Sequence, residues 1–172
     1  LNPDGTLTVS TGKVEIGQGI KTAIAMIAAE ELDVSLARIR MATVDTLGSP
    51  DEGLTVGSTS LESSGRAIRL VAAEVRYILL TYAFEELEVP LERLTVNDGT
   101  ITDPETGRNT TYWDLSGDQP LGREYMGLGK PKDPGSHQVI STPAKRLDLV
   151  DKVSGSPVYV HDLDLPGMLH AR

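Results

Sequence analysis

The sequence predicts an α+β (or α/β) fold, a small mixed sheet carrying two main helices in a βαβ-like arrangement, and three observations predict it. The period-two stretch Thr6-Leu7-Thr8-Val9-Ser10-Thr11 leads through a glycine segment into Ile20, Ala23, Ile24, Ile27, Ala28 and Leu32, which recur at helical spacing. Ile39 to Thr46 then reads as a second strand. The longest helical pattern in the chain, Ala67 to Leu87, places Ile68, Val71, Ala72, Val75, Ile78 and Leu79 at three- and four-residue steps and continues to Ala83, Phe84 and Leu87.

Composition bounds what such a fold can do. With 172 residues there is room for one ordinary domain and an appended element. The 39% hydrophobic and 24% charged residues are those of a globular chain, and at 4% aromatic content the core must be built from Leu, Ile, Val and Ala. A formal charge of −9 argues against nucleic acid or an anionic membrane surface as partner, since both reward clustered Lys and Arg. The absence of cysteine excludes disulfides, thiolate metal sites and iron–sulfur ligation within this segment, and leaves the compartment undetermined. No run approaches the length of a membrane span, and the start does not resemble a signal peptide. The chain does not begin with Met and stops within the apolar run Met168-Leu169-His170-Ala171-Arg172, so it is expected to be a piece of a longer polypeptide.

In chain order, Asn2-Pro3-Asp4-Gly5 has turn composition and leads into the first strand. Gly12-Lys13-Val14-Glu15-Ile16-Gly17-Gln18-Gly19 is then a strand-to-helix junction. Glycines let a ligand approach the backbone, and the unpaired N–H groups of a helix's first turn favour an anion. Gln18, with an amide donor and acceptor between two glycines, is expected to face a ligand. Glu15 is expected to be a strand-end charge, with orienting Gln18 or capping the helix as the alternatives. The segment is not a Walker loop, because Gln18 stands where the lysine must be and Lys21-Thr22 comes too late.

The loop 47–57 brings a hydroxyl cluster, Thr55, Ser58, Ser60, Ser63 and Ser64, with Gly57 and Gly65 among them. Capping explains one or two such hydroxyls, and the cluster makes this second helix start a second candidate anion site to which Arg66 can add charge. Asn97-Asp98-Gly99 between Leu94-Thr95-Val96 and Thr100-Ile101-Thr102 is a hairpin turn. Residues 103–111 read as a loop and Thr111 to Leu115 as the start of a short helix. Residues 116–143 form a Gly/Pro-rich connector lying over the surface. Residues 144–172 read as a truncated second-domain stub with strands at 157–160 and 168–171. The expected division is thus 1–115, 116–143 and 144–172.

No residue in this segment makes a convincing catalytic acid, base, nucleophile or metal ligand. His137, His161 and His170 have no metal-site spacing, and Glu30, Glu31, Glu85, Glu86 and Glu88 read as solvated helix faces. The residues by themselves leave open a phosphate- or nucleotide-binding module without a metal, and a structural or assembly role.

Taken together and in order, the glycine segment 12–19, the segment Thr55-Val56-Gly57-Ser58-Thr59-Ser60-Leu61-Glu62-Ser63-Ser64-Gly65 and the run Arg146-Leu147-Asp148-Leu149-Val150-Asp151-Lys152-Val153-Ser154-Gly155 resemble the molybdenum hydroxylases of the xanthine dehydrogenase and aldehyde oxidase family. The resemblance is to the molybdenum-binding large subunit of the isoquinoline 1-oxidoreductase and nicotinate dehydrogenase type. It runs through most of the chain and is weakest over the connector. It implies that residues 1–115 are a segment of a molybdopterin-binding α/β domain and that residues 144–172 begin a hammerhead-like domain. By that resemblance Gln18, flanked by Gly17 and Gly19, contacts the pyranopterin, while Ser58 and Ser60, with Thr55 and Gly57 beside them, hold the cofactor's phosphate. The implied cofactor is molybdopterin, as a dinucleotide, with molybdenum. The implied reaction hydroxylates a carbon of an N-heterocycle or aldehyde with oxygen from water. Implied partners are the remainder of the large subunit, a small [2Fe-2S] subunit carrying the iron–sulfur clusters, and a cytochrome c subunit. The family's catalytic glutamate has no counterpart in this segment, which is expected to be inactive by itself.

Overall fold

Leu7 stands opposite Ile39 and Val9 opposite Met41, so that β1 (Leu7–Val9) and β2 (Ile39–Met41) form a parallel pair. Parallel neighbours need a crossover, and α1 (Ile20–Leu32) supplies it. The computed structural model in which this is seen describes residues 1–117, 121–156, 159 and 162–169. The strands expected at 157–160 and 168–171, and His161 and His170, lie wholly or largely outside the described residues.

α2 (Arg66–Leu87) packs along α1. Ala25, Ala28 and Ala29 of α1 and Ala72 and Ala83 of α2 are all buried in one cluster with Leu7, Ile39 and Leu79. Side chains this small let helix surfaces approach closely, which is how a core with few aromatics fills its volume. The second sheet is an antiparallel meander of β3 (Thr95–Asn97), β4 (Thr100–Thr102) and β5 (Asn109–Thr111). The α+β class therefore holds, with the strands divided between a two-stranded parallel and a three-stranded antiparallel sheet. Asp98 and Gly99 both take positive φ, 48° and 77°, as a tight hairpin matching strand twist requires. β5 falls within the stretch read as loop, because three polar residues, Asn-Thr-Thr, carry no apolar alternation to reveal a strand. α3 (Tyr112–Ser116) follows directly, its first turn capped by the Thr111 hydroxyl accepting from the Asp114 N–H.

The second sheet closes the end of α1. Asp33 takes the left-handed conformation that ends the helix, and its carbonyl accepts from the Gly99 N–H at 3.1 Å. The hydroxyl of Tyr112, which is fully buried, donates to the Leu32 carbonyl at 2.9 Å. Helix-end carbonyls that would otherwise be orphaned are thereby satisfied.

Residues 121–143 run as a strap over α1 and α2, held by buried carboxylates. Glu74 accepts from the N–H groups of Met126, Gly127 and Leu128 at 2.7–3.0 Å. Glu31 accepts from Lys132 N–H at 3.0 Å and from Arg69 Nε at 2.9 Å. Glu30 accepts from the N–H groups of Gln138, Val139 and Ile140 at 2.6–3.0 Å. Between these anchors Gly129 lies flat on α2, where a Cβ would come within 2.3 Å of Glu74 Cα. Glu30 and Glu31, expected on a solvated face, are 1% and 0% exposed. The sequence carries a sign of it, since Glu31 follows Ala28 and Ile24 by three and seven residues and so shares their buried stripe. Burial opposes ionisation of Glu30, yet the three N–H donors and the Lys132 ammonium prevail and hold its carboxyl below the usual glutamate range. Glu74 is shifted the same way, burial again being outweighed by the strap's N–H groups. Glu85, Glu86 and Glu88 are exposed.

α4 (Leu149–Ser154) is a short helix in the last segment. Among the described residues, no helix is long and apolar enough to cross a membrane.

Candidate functional site

The two turns singled out by sequence lie side by side, laced together across about forty residues of chain. The Lys13 side chain is 2% exposed, and its ammonium donates to the carbonyls of Glu52 at 2.6 Å and Leu54 at 2.8 Å. The Glu52 carboxylate returns the contact, accepting from the Gly12 N–H at 2.6 Å and the Thr11 hydroxyl at 2.5 Å. One residue further, the Val14 N–H donates to the Thr55 hydroxyl at 3.0 Å. The approach is so close that a Cβ on Gly12 would lie 2.1 Å from the Pro50 carbonyl oxygen.

At the first turn the anion position is already filled. Glu15, expected first as a strand-end charge, caps the start of α1: its carboxylate accepts from the N–H groups of Gly17 at 2.9 Å and Gly19 at 2.8 Å, and reaches Lys21 N–H at 3.4 Å. Gln18 closes the same turn, accepting from Ile16 N–H at 2.7 Å and donating to the Val14 carbonyl at 3.1 Å. An amide has two N–H donors, so one remains for a ligand. Gln18 and Gly17 are exposed, and Gly17 and Gly19 have positive φ with open space where a side chain would be.

The second turn opens differently. Ser60–Gly65 is a π-helical turn that runs without a break into α2, so the helix begins before Arg66 rather than at Ala67. Two members of the hydroxyl cluster, Ser60 and Ser63, are spent on this turn, together with Thr59. Thr59 and Ser60 donate to the Val56 carbonyl at 2.8 and 3.2 Å, and Ser63 donates to the Thr59 carbonyl at 3.0 Å. Ser60 is 3% exposed, whereas Gly57, Ser58 and Thr59 face outward. The structure thus ties the segment that leads into Gly17, Gln18 and Gly19 to the loop that leads through Thr55 into Gly57, Ser58 and Ser60. It leaves Gln18, Gly57 and Ser58 as the outward-facing members.

Sequence reasoning missed Lys13, Glu52 and Arg146, which donates to the Gly17 carbonyl at 2.8 Å. A lysine inside a glycine-rich junction is a weak sign by itself, and the other two lie far away in sequence. Around both turns large apolar side chains stand in the open, Ile16 at 71% and Leu54 at 81% exposure. Among the described residues no cluster of three His, Asp or Glu is arranged to hold a metal ion. The arrangement is suited to gripping a ligand through backbone and amide groups.

A family model described as the molybdopterin cofactor-binding domain matches residues 1–129. The chain is 33% identical over its whole length to a nicotinate dehydrogenase subunit of Pseudomonas putida, of which it covers 14%. It is 26% identical over 99% of its length to the beta subunit of isoquinoline 1-oxidoreductase from Brevundimonas diminuta, of which it covers 27%. The chain therefore spans only a minor part of these relatives. The fold resembles that of reconstituted CO dehydrogenase from Oligotropha carboxidovorans, with a TM-score of 0.60 and 24% identity over 80% of this chain and 18% of that one.

Proposed function

The chain belongs to the molybdopterin cofactor-binding domain family, and on that premise we propose that its two turns form part of the wall holding a molybdopterin in a molybdenum hydroxylase. The observation that carries the reading is the lacing of the turns by Lys13, Glu52 and Thr55, which makes one surface out of two helix starts.

The residues suit such a group. Gly17, Gly19 and Gly57 leave open space along their backbones, so a flat ring system can lie against them. The spare Gln18 N–H is available to a ring acceptor. Ser58, exposed at the start of the second helix, is the hydroxyl placed for a phosphate, and the adjoining N–H groups add the partial positive charge of a helix N-terminus. Ser60 and Thr55 act from behind, Ser60 shaping the turn through Val56 and Thr55 holding it against Val14. Because Glu15 fills the N–H groups at the start of α1, the anionic part of the ligand belongs at the second turn and a neutral part at the first.

When bound, the cofactor supplies a molybdenum centre through which oxygen from water reaches a substrate carbon. This chain's residues bind and orient it. Two of the relatives are named for nicotinate and isoquinoline, both N-heterocycles, which supports an N-heterocycle or aldehyde carbon as the site oxidised by the whole protein. Both relatives are parts of multi-subunit enzymes, which supports the further partners: the remainder of the large subunit, a small [2Fe-2S] subunit and a cytochrome c subunit. The dinucleotide form of the cofactor is part of the same proposal.

The test is molybdenum per polypeptide in the complete natural gene product, beside the triple variant Gln18→Ala, Ser58→Ala, Ser60→Ala that still folds. Near-stoichiometric metal in the parent with a clear loss in the variant supports the reading, and a properly matured parent without molybdenum overturns it.

A further inference from the structure

The segment after the strap reaches back over the first turn. Arg146 donates through Nη1 to the Gly17 carbonyl at 2.8 Å and through Nη2 to Glu15 Oε1 at 3.3 Å. Asp148 fixes its direction, accepting from Nε at 2.9 Å and Nη2 at 2.8 Å. Lys152, one turn along α4, lies 2.5 Å from the same carboxylate. Beside them the Leu147 N–H donates to the buried Thr22 hydroxyl at 3.1 Å, in the first turn of α1. A continuous chain of contacts therefore runs from Lys152 through Asp148 and Arg146 to Glu15 and on to the N–H groups of Gly17 and Gly19.

We propose that Arg146 is a positioning residue for the cofactor: it clasps the Gly17-Gln18-Gly19 turn in the shape that presents Gln18, and it neutralises Glu15 beneath a phosphate-bearing ligand. The inference rests on the molybdopterin reading and goes beyond it, since Arg146 itself touches the turn and Asp148 and acts on the cofactor only through the turn. Two physical arguments support it. A carboxylate at the first turn still repels a phosphate held at the second, and in a chain of net charge −9 the guanidinium beside Glu15 is the local compensation. The planar guanidinium also serves Gly17, Glu15 and Asp148 at once, which an ammonium cannot do in the same geometry. The hydrogen bonds from Arg146 and then Lys152 hold the Asp148 carboxyl well below the usual carboxylate range, so the clasp stays charged through neutral and mildly acidic pH.

The experiment uses the complete natural gene product carrying Arg146→Ala or Arg146→Lys, with amide hydrogen exchange and bound molybdopterin as separate readouts. In Arg146→Ala, exchange at Gly17 and Gly19 should rise about 10-fold or more while Leu79 and Ile101 in the core keep their protection. Molybdopterin content should fall several-fold, and Arg146→Lys should recover only part of either loss. Adding Glu15→Gln to Arg146→Ala should restore some cofactor by removing the uncompensated charge, without restoring protection at the turn. Unchanged exchange at Gly17 and Gly19 overturns the clasp. Faster exchange with parental cofactor content overturns the positioning role and leaves the molybdopterin reading standing. A parent without molybdopterin overturns both.

Discussion

Lys13 and Glu52 each hold the other's segment: the Lys13 ammonium donates to the Glu52 carbonyl at 2.6 Å, and the Glu52 carboxylate accepts from the N–H of the adjacent Gly12 at 2.6 Å. This reciprocal pair ties the segment before the first helix to the loop before the second. Lys13→Met keeps the length and removes both ammonium hydrogen bonds. It should destabilise the chain by about 2 kcal/mol in denaturant unfolding. Exchange protection at Val14 N–H, which depends on Thr55 staying in place, should fall more than protection in α2.

The glycines of the first turn should separate into two kinds. Gly12→Ala drives a Cβ into the Pro50 carbonyl, a backbone atom that cannot swing aside, so the 50–52 segment must shift and give up the Glu52 contacts. A cost of about 3 kcal/mol is expected. Gly17→Ala meets no atom within 4 Å but must adopt φ near +106°. It should cost roughly 1–2 kcal/mol from backbone strain alone. Unfolding midpoints of the two variants, compared at equal m-value, check the order.

Acid should release the strap before it unfolds the core. Glu30 and Glu74 are held below the ordinary value of 4.5 in the folded chain. Their contribution is complete above that unfolded-state value and is lost as pH falls through the lower folded-state values. Exchange protection of Met126 to Leu128 and of Gln138 to Ile140 should therefore hold from pH 7 to 5 and drop below about pH 4.5. Glu30→Gln should cost about 2 kcal/mol at neutral pH and remove part of this dependence. Protection that is flat across the acid range would contradict the pinning.

Tyr112 should resist ionisation in alkaline solution. Burial, followed by the nearby Asp33 charge, pushes its phenol up, so spectrophotometric titration should find this phenol silent until the chain unfolds. Because the folded-state value is raised, its contribution is intact below the unfolded-state value of 10.0 and shrinks as pH rises above it. Tyr112→Phe should cost about 1 kcal/mol by leaving the Leu32 carbonyl without its donor.

What the sequence determined by itself was local. The apolar repeat of Ala67 to Leu87 matches α2 to within a residue, the Asn97-Asp98-Gly99 turn pairs β3 with β4, and the Gly17-Gln18-Gly19 junction opens α1, because periodicity and positive-φ demands act over a few residues. Only the tertiary structure decided which charges are structural. Glu15, Glu30, Glu31, Glu52 and Glu74 look alike in a chain with 25 acidic residues, yet each accepts backbone N–H groups, Glu15 from its own turn and the other four from a distant segment. Those partners lie between two and about a hundred residues away, and a carboxylate's role is set by which donors the folded chain brings within 3 Å of it. The same holds for Arg146, whose meaning appears only when the chain returns 129 residues later to the carbonyl of Gly17.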